Sequence, residues 1–117
     1  MISKHDAMAT VAVRDLDVAR RFYEDVLGLK ATEAMDGVAV YRSGSAKIVV
    51  YVSDTAGKNP ATSITWGVGS DLDEIVGKLR GAGVKFEHYE FPGMTLQGDV
   101  HVAGDFKAAW FRDPDGN

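Results

Sequence analysis

The chain has no cysteine, which removes disulfides, thiolate nucleophiles and cysteine metal sites together. It has no apolar run near the ~20 residues that a membrane helix needs. The opening Met1-Ile2-Ser3-Lys4-His5-Asp6 lacks the apolar stretch of a secretion signal, so a soluble, cytoplasmic protein is expected. Concentrated positive charge is missing as well. No Lys/Arg cluster exceeds a pair, and 13 basic against 17 acidic residues leave a formal charge of -4. Nucleic acid and anionic membrane are therefore poor partners. What remains is an ordinary globular composition, 45% hydrophobic and 26% charged, in a length that supports one core.

The chain repeats itself. Val13-Arg14-Asp15-Leu16-Asp17 opens a stretch closed by Gly28-Leu29-Lys30, and Asp71-Leu72-Asp73 opens another closed by Gly83-Val84-Lys85. Two copies at roughly 55 residues are too few and too long for a solenoid, and read as two half-domains that complete each other. In the first, Leu16, Ala19, Phe22, Tyr23, Val26 and Leu27 recur at helical spacing, predicting a helix over 16–27 with Arg20, Arg21, Glu24 and Asp25 in water. Asp15 is placed to cap it and Gly28 to end it. In the second, Leu72, Ile75, Val76, Leu79 and Ala82 form the apolar stripe, Asp71 and Glu74 have capping-box spacing, and Gly83 is the stop.

Extended stretches precede both helices, at 8–13 and 63–68. Three strands are predicted after the first, at 30–35, 38–42 and 47–53, separated by the turns Asp36-Gly37 and Ser43-Gly44. The first half is thus β-α-β-β-β. In the second half 84–91 and 107–113 read as strands. Between them 92–106 is a glycine-bearing connection that can hold an irregular strand over 94–102, and it is either a binding loop or a surface excursion. We expect one domain over 1–117, with a first module over about 1–54, a linker over about 54–62 and a second module over about 63–117. Asp113-Pro114-Asp115-Gly116-Asn117 is hairpin-turn chemistry. Such a turn delivers a strand, and none follows, so the sequence is expected to stop short of the native C-terminus.

These features resemble the vicinal oxygen chelate superfamily, which contains glyoxalase I, bleomycin- and fosfomycin-resistance proteins and extradiol dioxygenases. The most specific pieces are Val11-Ala12-Val13-Arg14-Asp15-Leu16 leading to Arg21-Phe22-Tyr23-Glu24-Asp25-Val26-Leu27-Gly28-Leu29, and Ala108-Ala109-Trp110-Phe111-Arg112-Asp113-Pro114-Asp115-Gly116-Asn117. The resemblance implies an α+β fold of two tandem βαβββ modules forming a cup of curled mixed β-sheet, often dimeric, with a last strand after the Asp113–Asn117 turn. A homodimer is expected on that ground. Family membership leaves the reaction open.

In the metal-dependent members four side chains, typically His and Glu, hold a divalent ion. Here Met8 stands at the first position, and a thioether suits such ions poorly. The second falls on the 47–53 strand, best at Tyr51, and the third within Ser63-Ile64-Thr65. The fourth would lie on the strand not displayed. A metal-free cup with no cofactor is therefore expected, one divalent ion held by displaced ligands being the alternative.

The acid-base candidates are Tyr51, His88 and His101. On an extended strand His88 and Glu87 face opposite ways, and Asp99 stands two residues from His101, a spacing that puts both on one face. His101 is either a general acid or base or a surface loop residue. The aromatic set Tyr41, Tyr51, Trp66, Phe86, Tyr89, Phe91 and Trp110 falls on strand candidates and divides between core and ligand. The ligand-binding expectation is Tyr41, Tyr51, Trp66, Glu90, His101 and Trp110 around a small, planar or aromatic molecule. The competing functions are a metal-dependent lyase, isomerase or dioxygenase, and a metal-free acid-base catalyst.

Overall fold

The computed structural model describes every residue from Met1 to Asn117. The chain divides into two compact units, Met1–Thr65 with Asp113–Asn117, and Trp66–Arg112. No helix is long and apolar enough to cross a membrane.

In the first unit, β1 (Ala9–Val13), β2 (Lys30–Met35), β3 (Val38–Ser43) and β4 (Ala46–Val52) form one mixed sheet in the order β1-β4-β3-β2. β1 runs parallel to β4, and the other pairs are antiparallel. The two hairpins close where the sequence places them, with Gly37 and Gly44 at φ 75° and 59° supplying the left-handed residues. Alternation then sorts the faces. Val11, Val13, Ala39, Tyr41, Ile48 and Val50 are buried, with Val11 and Ala39 level with Val50 and Tyr41 level with Ile48. Tyr51 points the other way, level with Ala12 of β1 and Val38 of β3.

Helix α1 (Leu16–Arg20) starts as predicted: Asp15 is extended and its carboxylate accepts from the Asp17 and Val18 backbone N–H groups at 2.9 and 3.3 Å. Over Arg21–Val26 it widens into a π-helix, with the Leu27 N–H donating to the Phe22 carbonyl at 2.9 Å. This departs from the 3.6-residue period used to assign the faces. Glu24, expected in water, is half-buried and accepts a hydrogen bond from the Tyr41 hydroxyl at 3.0 Å. Tyr23 is buried and stacks on Tyr41 with centroids 5.8 Å apart.

The Asp113–Asn117 turn closes this unit. The Asp113 N–H donates to the Asn117 carbonyl at 2.9 Å, and Asp113 Oδ1 accepts from the Asp115 and Asn117 N–H groups at 2.9 and 2.8 Å. Its Oδ2 accepts from the Tyr23 hydroxyl at 2.9 Å and from Asn117 Nδ2 at 3.0 Å. Asn117 Nδ2 also reaches the Ala12 carbonyl at 2.8 Å, while Arg14 donates from its backbone to Asp115 at 3.1 Å and from its guanidinium to the Ala56 carbonyl at 2.9 Å. The segment expected as a linker is therefore partly fixed. Ala56 is fully buried, and a Cβ on Gly57, at φ 73°, would overlap the Asp115 carbonyl oxygen.

In the second unit, α2 (Leu72–Gly81) follows a 3-10 turn over Gly69–Asp71. Asp71 makes no side-chain cap, correcting the capping-box expectation. It sits at φ -83°, ψ 0°, already turned with the 3-10 helix, and not in the extended geometry from which a carboxylate reaches back. The C-terminus behaves as expected: Gly83 has φ 93°, its N–H bonds the Arg80 carbonyl at 3.0 Å, and the Val84 N–H bonds that of Leu79 at 3.0 Å, a Schellman closure.

The strands here are shorter than predicted. Residues 63–68 join no strand ladder; an extended segment becomes a strand only through a ladder that satisfies its backbone groups. The 84–91 stretch forms only β5 (Phe86–Glu87), antiparallel to β9 (Trp110–Phe111). The connection folds into β6 (Thr95–Gln97) and β7 (Val100–Ala103), joined to β8 (Phe106–Ala108) in a three-stranded antiparallel sheet.

Tyr23→Phe removes one donor from a buried carboxylate and should cost about 1.5–3 kcal/mol, read from urea unfolding. Gly57→Ala combines a steric overlap with a left-handed backbone and should cost more than ~1 kcal/mol in the same assay. Burial and the adjacent Asp113 carboxylate raise the Tyr23 phenol far above its ordinary value, and burial with the Glu24 hydrogen bond raises Tyr41. Above the unfolded value of about 10 the folded state then binds more protons than the unfolded one, so stability falls as pH rises. Urea midpoints measured into the alkaline range should show this fall, and it should be shallower in Tyr23→Phe.

Candidate functional site

Tyr41 and Tyr51, expected together as ligand contacts, lie on opposite faces of the first unit's sheet. Tyr41 has no exposed surface and is committed to Tyr23 and Glu24; its odd position in β3 turns it to the helix. Tyr51 is half-buried on the other face.

In the second unit the aromatic residues form two sets, because Trp110 and Phe111 are successive residues of β9 and alternate sides. Trp66 stacks on Phe111 at 6.3 Å, and Phe86 meets Phe111 edge-on at 5.9 Å. The other set is Tyr89, Phe91, His101 and Trp110. His101 lies edge-on to Trp110 at 4.9 Å, and Tyr89 and Phe91 approach Trp110 at 5.5 and 5.7 Å. Trp66 and Trp110, expected in one wall, are thus separated, whereas His101 and Trp110 are brought together.

His101 is neither a surface loop residue nor at the mouth of a pocket. It is 1% exposed. Its Nε2 faces the Tyr89 backbone N–H at 2.9 Å and its Nδ1 the Ala108 carbonyl at 3.3 Å. An amide can only donate and a carbonyl only accept, so Nε2 is the acceptor and Nδ1 carries the proton. Both nitrogens are committed, and neither is left for a metal ion or a substrate proton. Asp99, expected beside His101, turns elsewhere. It sits at the β6–β7 turn, where its Oδ1 meets His88 Nε2 at 2.7 Å and its Oδ2 takes Arg80 of α2 through Nε at 2.8 Å and a terminal nitrogen at 2.7 Å. The His88 and Arg80 hydrogen bonds hold the Asp99 carboxyl below its ordinary value.

His88, Tyr89, Glu90 and Phe91 border a half-open depression of about 320 Å³, completed by Met94 and Leu96. All four consecutive residues reach it because regular strand structure ends at Glu87. Alternation, which had set His88 with Glu90 and against Glu87, no longer governs them. Tyr89, Phe91 and Leu96 remain 39%, 43% and 43% exposed. Tyr89, Phe91, Met94 and Leu96 were not among the expected site residues. The aromatic content of 86–91 was a usable signal, but Met94 and Leu96 join only through the β6–β7 hairpin.

The donor set does not suit a divalent ion. Met8 precedes β1 and is 51% exposed, Tyr51 has no carboxylate or imidazole beside it in register, and no group of three or more His, Asp or Glu side chains is arranged to hold a metal.

Comparison with solved structures gives likenesses over nearly the whole chain. A glyoxalase/bleomycin resistance protein/dioxygenase from Alicyclobacillus acidocaldarius shares 19% identity at a TM-score of 0.71, covering 97% of this chain and 86% of the other. The fosfomycin resistance protein FosX from Mesorhizobium loti shares 17% at 0.68, covering 99% and 87%. A lactoylglutathione lyase from Agrobacterium tumefaciens shares 19% at 0.63, covering 97% and 88%. At these identities the likeness concerns the fold, a mixed α+β arrangement with few helices. Comparison with curated proteins found no match. The family model of the Glyoxalase/Bleomycin resistance protein/Dioxygenase superfamily matches residues 6–117, and the chain belongs to that superfamily.

Proposed function

We propose that this chain binds a small planar or aromatic molecule, without a metal ion, against the Tyr89 and Phe91 rings of the second unit. One observation carries the reading: two aromatic side chains stay substantially exposed beside a depression while their inner edges are fixed against buried His101 and half-buried Trp110. Rings held in this way are preorganised, so a ligand that stacks on them orders little else. Met94 and Leu96 supply an apolar rim, and Glu90 and His88 a polar one. Among structural neighbours are a protein named for fosfomycin resistance and one named a lactoylglutathione lyase, so the fold by itself does not choose the function. The donor set described above favours binding here.

2-Methoxynaphthalene, a planar probe with no acidic proton, should bind in a fluorescence titration, and Phe91→Ala should weaken it by about two- to tenfold, the span of one aromatic contact. A probe that does not bind, or binds Phe91→Ala equally well, would overturn the reading. Native mass spectrometry after incubation with Mn²⁺, Ni²⁺ or Zn²⁺ should show no stoichiometric ion. One tightly held ion per chain would instead support the metal-dependent alternative.

A further inference from the structure

The polar edge of the depression is built more specifically than its apolar floor. Asp99 is a half-covered carboxylate fixed from two directions: Arg80, on α2, grips one oxygen with two nitrogens, and His88 takes the other at 2.7 Å. A carboxylate so paired stays ionised, which its lowered pKa also reflects, and an ionised carboxylate can only accept. The nitrogen facing it, His88 Nε2, must therefore carry the proton. In its neutral form the imidazole then has its lone pair on Nδ1, on a ring that lines the depression. Asp99 fixes the tautomer and Arg80 fixes Asp99. The site thus offers one oriented acceptor beside two exposed aromatic rings.

We infer that His88 is the hydrogen-bond-accepting anchor of the depression and that its ligands are planar aromatic molecules bearing a hydroxyl group, phenol- or naphthol-like. The inference rests on the binding reading above and adds the chemical class to it. A ligand that lacks a donor leaves Nδ1 unpaired in a partly desolvated position, and one that carries a carboxylate meets Glu90, which lies on the same rim. A neutral hydroxyl donates to Nδ1 without setting a second negative charge beside Glu90. Should the ligand be acidic enough, its proton passes to Nδ1, leaving an aromatic oxyanion and an imidazolium. The imidazolium is then held through Nε2–H by the Asp99 carboxylate, so no further reagent is required. Asp99 and Arg80 act here through His88 and are positioning residues.

The test compares 2-naphthol with its methyl ether, 2-methoxynaphthalene, on the intact chain. They share shape and apolar surface and differ in the hydroxyl proton. The wild-type chain should prefer 2-naphthol by about three- to tenfold, the value of one hydrogen bond. 2-Naphthol is a much stronger acid when excited, so bound probe should also emit from its naphtholate form. His88→Leu should abolish both the preference and that emission while binding the ether at least as tightly as wild type, because no unpaired Nδ1 is left behind. Asp99→Asn, whose amide no longer dictates the tautomer, should reduce both. Retained ether binding shows that each variant keeps its folded site, and circular dichroism provides an independent check. If wild type binds both probes equally, or if His88→Leu keeps the preference and the emission, the inference fails while the binding reading stands. If neither probe binds, both fail together.

Discussion

The first unit is organised around the carboxylate of Asp113. It is 8% exposed and takes hydrogen bonds from the Tyr23 hydroxyl, from two backbone N–H groups of its own turn and from the Asn117 amide. Burying a charge is unfavourable unless its lone pairs are occupied, and here the turn supplies three of the partners and the helix the fourth. Tyr23 brings the π-widened end of the helix, and Asn117 brings the β1 edge through the Ala12 carbonyl. The neighbouring Asp115 brings Arg14, and with it the segment around Ala56. Residues about a hundred positions apart are joined without a continuous hydrophobic layer between them. The stack of Tyr23 on Tyr41 extends the same constraint into the sheet, whose buried face then has one permitted orientation relative to the helix.

How much of this was legible depended on whether the signal was local. The hairpins at Asp36-Gly37 and Ser43-Gly44, the Asp15 cap and the Gly83 closure are short-range chemistry, and they appear where the sequence puts them. The Asp113–Asn117 turn was legible for the same reason. Its long-range partners were not, since nothing in Tyr23 or Arg14 announces a carboxylate some ninety residues away. The helical period also misassigned one residue. Glu24 looked like a solvent-facing charge at 3.6 residues per turn, and the π segment changes that period. Residues 63–68 have strand composition, yet composition supplies no ladder partner.

The site was partly legible for a related reason. Aromatic content marked 86–91 and Trp110 as interesting, but the rule used to aim those side chains was strand alternation, which lapses after Glu87. His88, Tyr89, Glu90 and Phe91 consequently share one depression. The two histidines exchange roles on the same account. His101 stands within a true ladder, in register with Leu96 and Ala108, and its ring is drawn into the aromatic cluster, where both nitrogens are bonded. His88 stands where the ladder has ended, and its ring lines the depression. Asp99 was read as a companion of His101 from a spacing of two, but a residue at the β6–β7 turn is not held to the parity of the strand that follows.

Membership of the superfamily fixes a frame on which several chemistries are known, and the choice among them rests on which side chains occupy it. The family's metal chemistry needs hard or borderline donors mounted on strands, where backbone regularity holds their geometry. This chain puts Met8, Tyr51 and a Ser-Ile-Thr stretch at the corresponding places. Its oriented polar groups lie elsewhere, on the end of α2, the β6–β7 turn and the segment after β5. Side-chain bonds among Arg80, Asp99 and His88 join these three elements. That arrangement orients a single acceptor, His88 Nδ1, toward the depression. On the proposed reading, recognition of a planar donor asks for one acceptor and fixed rings, and His88, Tyr89 and Phe91 border one depression.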